Sequence, residues 1–282
     1  MKKIILFVFV AVTSFTLPAQ ITTPAASPFS SMEQKVGLTD VTLEYSRPSV
    51  KGREIFGNLV PFNTIWRTGA NKNTVVTFSD DVQIEGQTLT AGSYAIFTKP
   101  GESSWEIIFY SDTDNWGAPK EWDESKVAAK TTATVYPLPV SIETFTITLD
   151  DLHTNGASIG IMWEKAYVAV KFTVPTDVKA SKSIASVMNG PSANDYFSAA
   201  SYYYEAGKDL KKAQEWINKA VSLNDKAFWM SRQQSLIYAK LGDNKNAIAA
   251  AKVSLAAAKN AKNAHYIKLN KDSLNAWGVV VD

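Results

Sequence analysis

Four cations fall within a short stretch of the chain, Arg47, Lys51, Arg53 and Arg67, with Glu54 the one anion among them. A guanidinium presents a planar fork of N–H donors. Arginines brought together by a fold can therefore hold a carboxylate, sulfate or phosphate through charge-assisted hydrogen bonds. The same residues have a structural use, in which each pairs with an acid or stacks on a ring such as Trp66 or Phe56 and locks the loop. Arg67 lies between Trp66 and the turn formers Thr68, Gly69, Ala70 and Asn71, so the sequence points to a clasp there, with donors on backbone carbonyls. Arg53, flanked by Gly52 and Glu54, is expected to be exposed. Trp116 and Trp122 sit on a polar loop from Asp112 to Trp122, and an indole is costly to leave wet unless something covers it. The candidate ligand-binding residues are Arg47, Lys51, Arg53, Arg67, Trp116 and Trp122.

Catalytic chemistry has less to draw on. The chain has no cysteine, which removes a thiol nucleophile, disulfides, cysteine-ligated metals and a lipid-bearing cysteine. Its two histidines, His153 in a polar turn and His265 near the last helix, belong to different halves and make neither a triad nor a metal pair. No metal and no cofactor is expected. Asp112 and Asp114 leave open a hydrolase that uses paired carboxylates on glycans or peptides. The discriminator is the concavity beside the arginine loop: acids lining it favour hydrolysis, whereas cations and aromatic rings alone favour binding.

The arginines occupy a stretch, 47 to 71, in which three glycines and two prolines break any period. Yet Ile55, Phe56, Leu59, Val60, Phe62, Ile65 and Trp66 are too apolar for a solvated linker. A long, partly buried loop follows, of the kind that tends to be functional. Around it, from residue 31 to 175, short β-branched and aromatic runs alternate with turn signals at Glu85-Gly86 and Pro100-Gly101-Glu102. Eight or nine strands with no helical segment between them predict an antiparallel β-sandwich. In the run from Glu143 to Leu149, Phe145, Ile147 and Leu149 share the core face and the threonines the other.

After Pro175 the pattern changes. Residues 176–191 read as a linker and 192–282 as a small tetratricopeptide-like helical domain. Tyr204 and Tyr238, Ala213 and Ala247, and Ala220 and Ser254 each lie 34 residues apart. Such an array serves protein contact and offers a surface for oligomerisation; a bundle that only stabilises the chain is the alternative. The whole is multidomain, β then α. Its near-neutral charge of +2 conceals an acidic half, with 12 Lys+Arg against 18 Asp+Glu over 20–175, and a basic half, with 15 against 9 over 176–282. The basic half has only one arginine, and its lysines are spread along helices among acids. That is a solvated helical surface and no footprint for nucleic acid.

At the N-terminus, Met1-Lys2-Lys3 precedes the apolar run Ile4 to Val12 and the small residue Ala19. Residues 1–19 read as a cleavable signal peptide and 20–30 as a disordered lead, which places the mature protein in the periplasm or outside the cell with no integral membrane segment.

Several of these motifs resemble one family. Arg47-Pro48-Ser49-Val50-Lys51-Gly52-Arg53-Glu54-Ile55-Phe56-Gly57, Leu59-Val60-Pro61, Trp66-Arg67-Thr68-Gly69-Ala70-Asn71, Ala91-Gly92-Ser93-Tyr94 with Phe97, and Asn115-Trp116-Gly117 are similar to the signature of a bacterial secreted family, domain-of-unknown-function family 2911. The likeness covers about residues 27–174. It implies an exported β-rich domain and supplies no catalytic residues. The function expected is non-catalytic binding of an unidentified protein or envelope ligand, with an extracytoplasmic hydrolase as the alternative.

Overall fold

The computed structural model describes residues 23–188 and 190–281; the expected signal peptide lies outside them. Ten strands come first: β1 (Phe29–Val36), β2 (Thr39–Ser46), β3 (Ala70–Phe78), β4 (Val82–Ile84), β5 (Gln87–Leu89), β6 (Gly92–Lys99), β7 (Ser104–Tyr110), β8 (Val127–Thr134), β9 (Tyr136–His153) and β10 (Gly156–Thr173). They form two antiparallel sheets, β1-β2-β3-β6-β7-β8 and β5-β4-β10-β9, which share one core containing Leu43, Tyr45, Phe78, Trp105, Phe145, Trp163 and Phe172. Phe145 and Ile147 face that core as the alternation requires.

Two long strands replace several short ones. Ala157 to Trp163 and Tyr167 to Val174 belong almost entirely to β10, because Glu164, at φ 49°, forms a bulge that shifts register without ending the pairing with β9. β1 begins at Phe29, inside the stretch expected to be disordered. Its mixed polar and apolar sequence is that of an edge strand, ordered by eight residue pairs with β2 while Val36 alone is fully buried and Met32 packs against the core.

The sheets are joined beside the arginine loop. The Tyr45 hydroxyl donates to the Ile147 carbonyl (3.1 Å) and accepts from the Ile147 amide (3.0 Å). Just beyond β2, the Phe145 amide donates to Pro48 and the Val50 amide to Glu143, both at 2.8 Å. This short ladder carries the chain from one sheet onto the edge of the other.

Among the described residues six helices follow: α1 (Thr176–Val187), α2 (Ala193–Glu205), α3 (Leu210–Leu223), α4 (Phe228–Lys240), α5 (Asn244–Asn260) and α6 (Ala264–Ala276). The segment expected to be a linker is therefore mostly helix. Its small residues favour helix as readily as coil, and it is anchored: Lys179 Nζ donates to both Asp80 oxygens (2.9 and 2.8 Å) and to the Leu38 carbonyl (2.8 Å). This contact joins the acidic half to the basic half. Among α2 to α5 the chain repeats its turns. Lys208 donates to the Tyr203 carbonyl and Asp243 to the Tyr238 carbonyl, while the aspartates Asp209 and Asp243 cap the helices that follow. Of the residues paired in the sequence at a separation of 34, Ala213, Ala220, Ala247 and Ser254 are fully buried, whereas Tyr204 and Tyr238 are half-buried.

Burial pushes the Asp80 carboxyl upward, but hydrogen bonds from Lys179, Thr39 and Ser79 outweigh it and hold the group below the ordinary carboxylate range. A depressed folded-state value contributes stability above the unfolded value, lost as pH falls through the folded one. Asp80→Asn should therefore lower the melting temperature at pH 7 by about 1–3 °C, with Lys179 partly solvated. Thermal melts of both proteins should converge as pH drops below 3.8.

Candidate functional site

Between β2 and β3 the chain spends residues 47–69 on the loop, which is tied down at intervals. Trp66 exchanges backbone hydrogen bonds with Thr98 on β6 (2.8 and 2.9 Å), and the Asn63 amide donates to Pro100 (2.7 Å). The loop's rings enter the core. Trp66 stacks on Trp163 at 5.9 Å and 15°, Phe56 lies 4.8 Å from Trp105, and Phe145 meets the Trp66 and Trp163 rings edge-on at 5.3 and 5.7 Å. Such contacts add about 0.5–1.5 kcal/mol each beyond the area they bury.

This packing forces unusual backbone. Lys51, Asn63, Thr68 and Asn71 all have positive φ, and Thr68, at φ 55° and fully buried, is β-branched. A residue of that type in the left-handed region costs about 1–3 kcal/mol and persists only where its surroundings over-determine it. Thr68 is so held: its hydroxyl meets Thr98 Oγ1 (3.1 Å), and its carbonyl accepts from Thr74. Gly69, at φ 140°, leaves little room for a Cβ, which would stand 3.0 Å from the Ser46 carbonyl. Strain of this kind clusters at binding and catalytic sites.

Over the aromatic cluster opens a cavity of about 490 Å³. Trp66 and Trp163 line its apolar side, and Lys51, Arg53 and Arg67 its charged side; among the described residues no aspartate or glutamate lines it. The three cations are held differently. Arg53 is exposed, as expected, and its Nε and one terminal nitrogen donate to the Val50 and Ser49 carbonyls (3.0 and 2.6 Å), which leaves its other terminal nitrogen available. The Lys51 backbone amide is fixed by Glu143 (2.9 Å) while its side chain is exposed.

Arg67 departs from its expected clasp. It has no acid, ring or carbonyl partner among the described residues, and its Nε is buried without a hydrogen bond. The Thr68 carbonyl is taken by the Thr74 hydroxyl, and among the described residues no carbonyl of the turn formers that follow Arg67 is hydrogen-bonded to the guanidinium. Arg67 is instead backed by Gly117, whose Cβ position lies 3.0 Å from a terminal nitrogen at φ 114°; a larger residue would press on the guanidinium. Asn73 holds that wall in place. Its Nδ2 donates to the Gly117 carbonyl (3.0 Å) and its Oδ1 accepts from the Asn115 amide (3.1 Å).

The other candidates lie apart from the cavity. Arg47 is the clasp, donating to the Phe145 carbonyl (3.1 Å) and to Thr146 Oγ1 (2.8 Å) and thereby bracing the joint between the sheets. Trp122 packs on Phe97 and Tyr110, covering the outer face of the larger sheet, and its Nε1 donates to Glu124 (3.1 Å). It covers apolar side chains on this face of the sheet. Trp116 is 73% exposed. Asp112 and Asp114 lie outside the cavity; the hydrogen bond from Lys126 holds the Asp112 carboxyl below its ordinary range, the opposite of what a general acid requires. Asp114 meets Lys72 (3.4 Å). Exposed His153 accepts from the nearby Asn155 amide (3.3 Å). Among the described residues no three His, Asp or Glu side chains converge as metal ligands.

Sequence reasoning missed Asn73 and Trp163. Asn73 carried a signal: Asn71-Lys72-Asn73 are poor strand formers at the start of a strand, which they enter only because their side chains have other partners. Trp163 read as one more apolar residue of its run.

The family model described as "Protein of unknown function (DUF2911)" matches residues 27–172, more than half of the chain, and the chain belongs to that family. The match ends where the helices are about to begin. No curated protein and no solved structure matches the chain.

Because Arg67 has no partner to strand, Arg67→Ala should leave the melting temperature within about 2 °C of wild type. Asn73→Ala strands the buried Gly117 carbonyl and should cost about 2 kcal/mol, or roughly 4–8 °C. Parallel thermal melts check both.

Proposed function

We propose that in this member of the DUF2911 family the β domain is a non-catalytic binding domain for an anionic ligand, and that the cavity over Trp66 and Trp163 is its site. One observation carries the reading: Arg67, whose Nε is buried and without an acceptor among the described residues, lines a cavity whose other charges are Lys51 and Arg53. An oxyanion in the cavity would meet the guanidinium of Arg67, for which the described residues supply no acceptor. Trp66 and Trp163 suit a ligand with an apolar face beside its acid. With no carboxylate in the lining, the cavity supports binding better than hydrolysis.

The protein is proposed to act outside the cytoplasm, on the strength of the basic and apolar sequence at residues 1–19. Among the described residues no helix is long and apolar enough to cross a membrane. The helices from 192 onward are proposed to form a tetratricopeptide-like unit for protein contact. Their 34-residue offset and matching turns support that role.

Thermal shift of the mature chain, with sulfate, phosphate and small carboxylates at constant ionic strength, tests the site. A ligand that binds only the folded state at 100 times its Kd stabilises by about 2.7 kcal/mol, a rise of several degrees. That rise should vanish in Arg67→Gln. An equal rise in wild type and Arg67→Gln, or none in wild type with any anion, would overturn the reading.

A further inference from the structure

We infer that the Arg67 cavity is one half of a two-part site, that Trp116 is the platform of the other half, and that the ligand is an acidic oligosaccharide. The inference rests on the anion-binding reading of Arg67 and adds a second contact and a ligand class.

Trp116 and Phe29 are the two most exposed aromatic residues among the described residues of the β domain, at 73% and 65%. With Tyr45, Ser46 and Asn71 they line a shallow depression of about 220 Å³. Exposure here does not reflect a loose loop. Asn73 pins the peptide on both sides of Trp116 through the Asn115 amide and the Gly117 carbonyl, and its own amide donates to the Asn115 carbonyl (3.1 Å). The backbone that presents the indole is thus already ordered, and a ligand need not meet that cost. The ring is presented bare, in contrast to Trp122 on the same loop, which is packed against the sheet.

The two depressions are neighbours. Gly117 stands against the Arg67 guanidinium, and Trp116 is the next residue in the chain, about 3.8 Å away between Cα atoms. Between them runs the short lead from Ala26 to Phe29, held where Asn71 Nδ2 donates to the Ser27 carbonyl (3.2 Å). A ligand spanning both must be extended, with its acid at Arg67 and a ring at Trp116.

Both depressions are open, so the ligand keeps one side in water. A pyranose meets that demand, because its C–H face is apolar enough to lie on an indole while its hydroxyls stay hydrated or reach the Ser46 and Asn71 rim. A flat apolar ring would gain more from an enclosed pocket. The charge of the lining requires the sugar chain to be acidic, carrying carboxylates or sulfates.

Calorimetric titration of the full mature chain tests this. The probes are a galacturonate hexamer, the galacturonate monomer, the fully methyl-esterified hexamer, a sulfated heparin hexamer, and inorganic sulfate. One acidic hexamer should bind at least tenfold tighter than the monomer or sulfate, and esterification should abolish binding of the galacturonate hexamer. Trp116→Ala should weaken the hexamer about tenfold while leaving sulfate affinity unchanged, whereas Arg67→Gln should lose both. The relative affinity of the two acidic hexamers tells carboxylate from sulfate. If sulfate binds but neither acidic hexamer binds more tightly, or if Trp116→Ala changes nothing, the two-part inference fails and the anion site stands. If sulfate, the monomer and both acidic hexamers all fail to bind, both readings fall. A short acidic peptide that binds tighter than either hexamer and depends on Trp116 would overturn the ligand class.

Discussion

The aromatic cluster of Phe56, Trp66, Trp105, Phe145 and Trp163 is the constraint on which the β domain depends. A loop of this length loses about 1–2 kcal/mol of backbone entropy per residue when it is ordered. Beyond the short pairing at Pro48 to Val50, no ladder recovers that along 47–69; isolated bridges and buried rings do. Phe56 and Trp66 come from the loop, Trp105 from the larger sheet, and Phe145 and Trp163 from the smaller one. One set of contacts therefore closes the sheets on each other and fixes the loop between them.

The cationic cavity follows from that arrangement. Once Trp66 is committed to the core and Thr68 to its buried hydroxyl contacts, Arg67 has one direction left, outward beside Gly117. Three positive charges without an acid among them repel one another, and a fold selected for stability alone would have placed a carboxylate there. The acids are close at hand but otherwise engaged: Glu143 takes the Lys51 amide, and Glu164 the Ile55 amide (3.3 Å). They fasten the backbone and leave the side-chain cations uncompensated.

The helical half has its own buried cluster, built around Trp216, Ile217, Met230 and Ile237, and it meets the sheets through α1. Opposed net charge between the halves resolves locally into the Lys179 pair with Asp80. Other lysines of the helices pair within their own half, as Lys208 does with Asp177 and Lys268 with Asp272.

The alternation of Phe145, Ile147 and Leu149, the turn at Glu85-Gly86 and the 34-residue offset of Ala213 and Ala247 were legible in the sequence, because each is a local period fixed by backbone geometry. So was the division into a β half and an α half. Sequence also marked the arginine loop as the unusual stretch, since apolar rings among turn formers are a local contradiction. It could not assign its four cations. Whether an arginine clasps or waits depends on which acceptors and rings the fold brings to it, and those come from far along the chain: Phe145 and Thr146 for Arg47, and none among the described residues for Arg67. Trp116 and Trp122 share a loop and read alike, yet one covers the outer sheet face and the other stays bare. Only the fold of β6 and β7 beneath Trp122, and of Asn73 behind Trp116, separates them. Periodicity is a property of neighbouring residues and is written in the chain; convergence of distant side chains is decided when the sheets close.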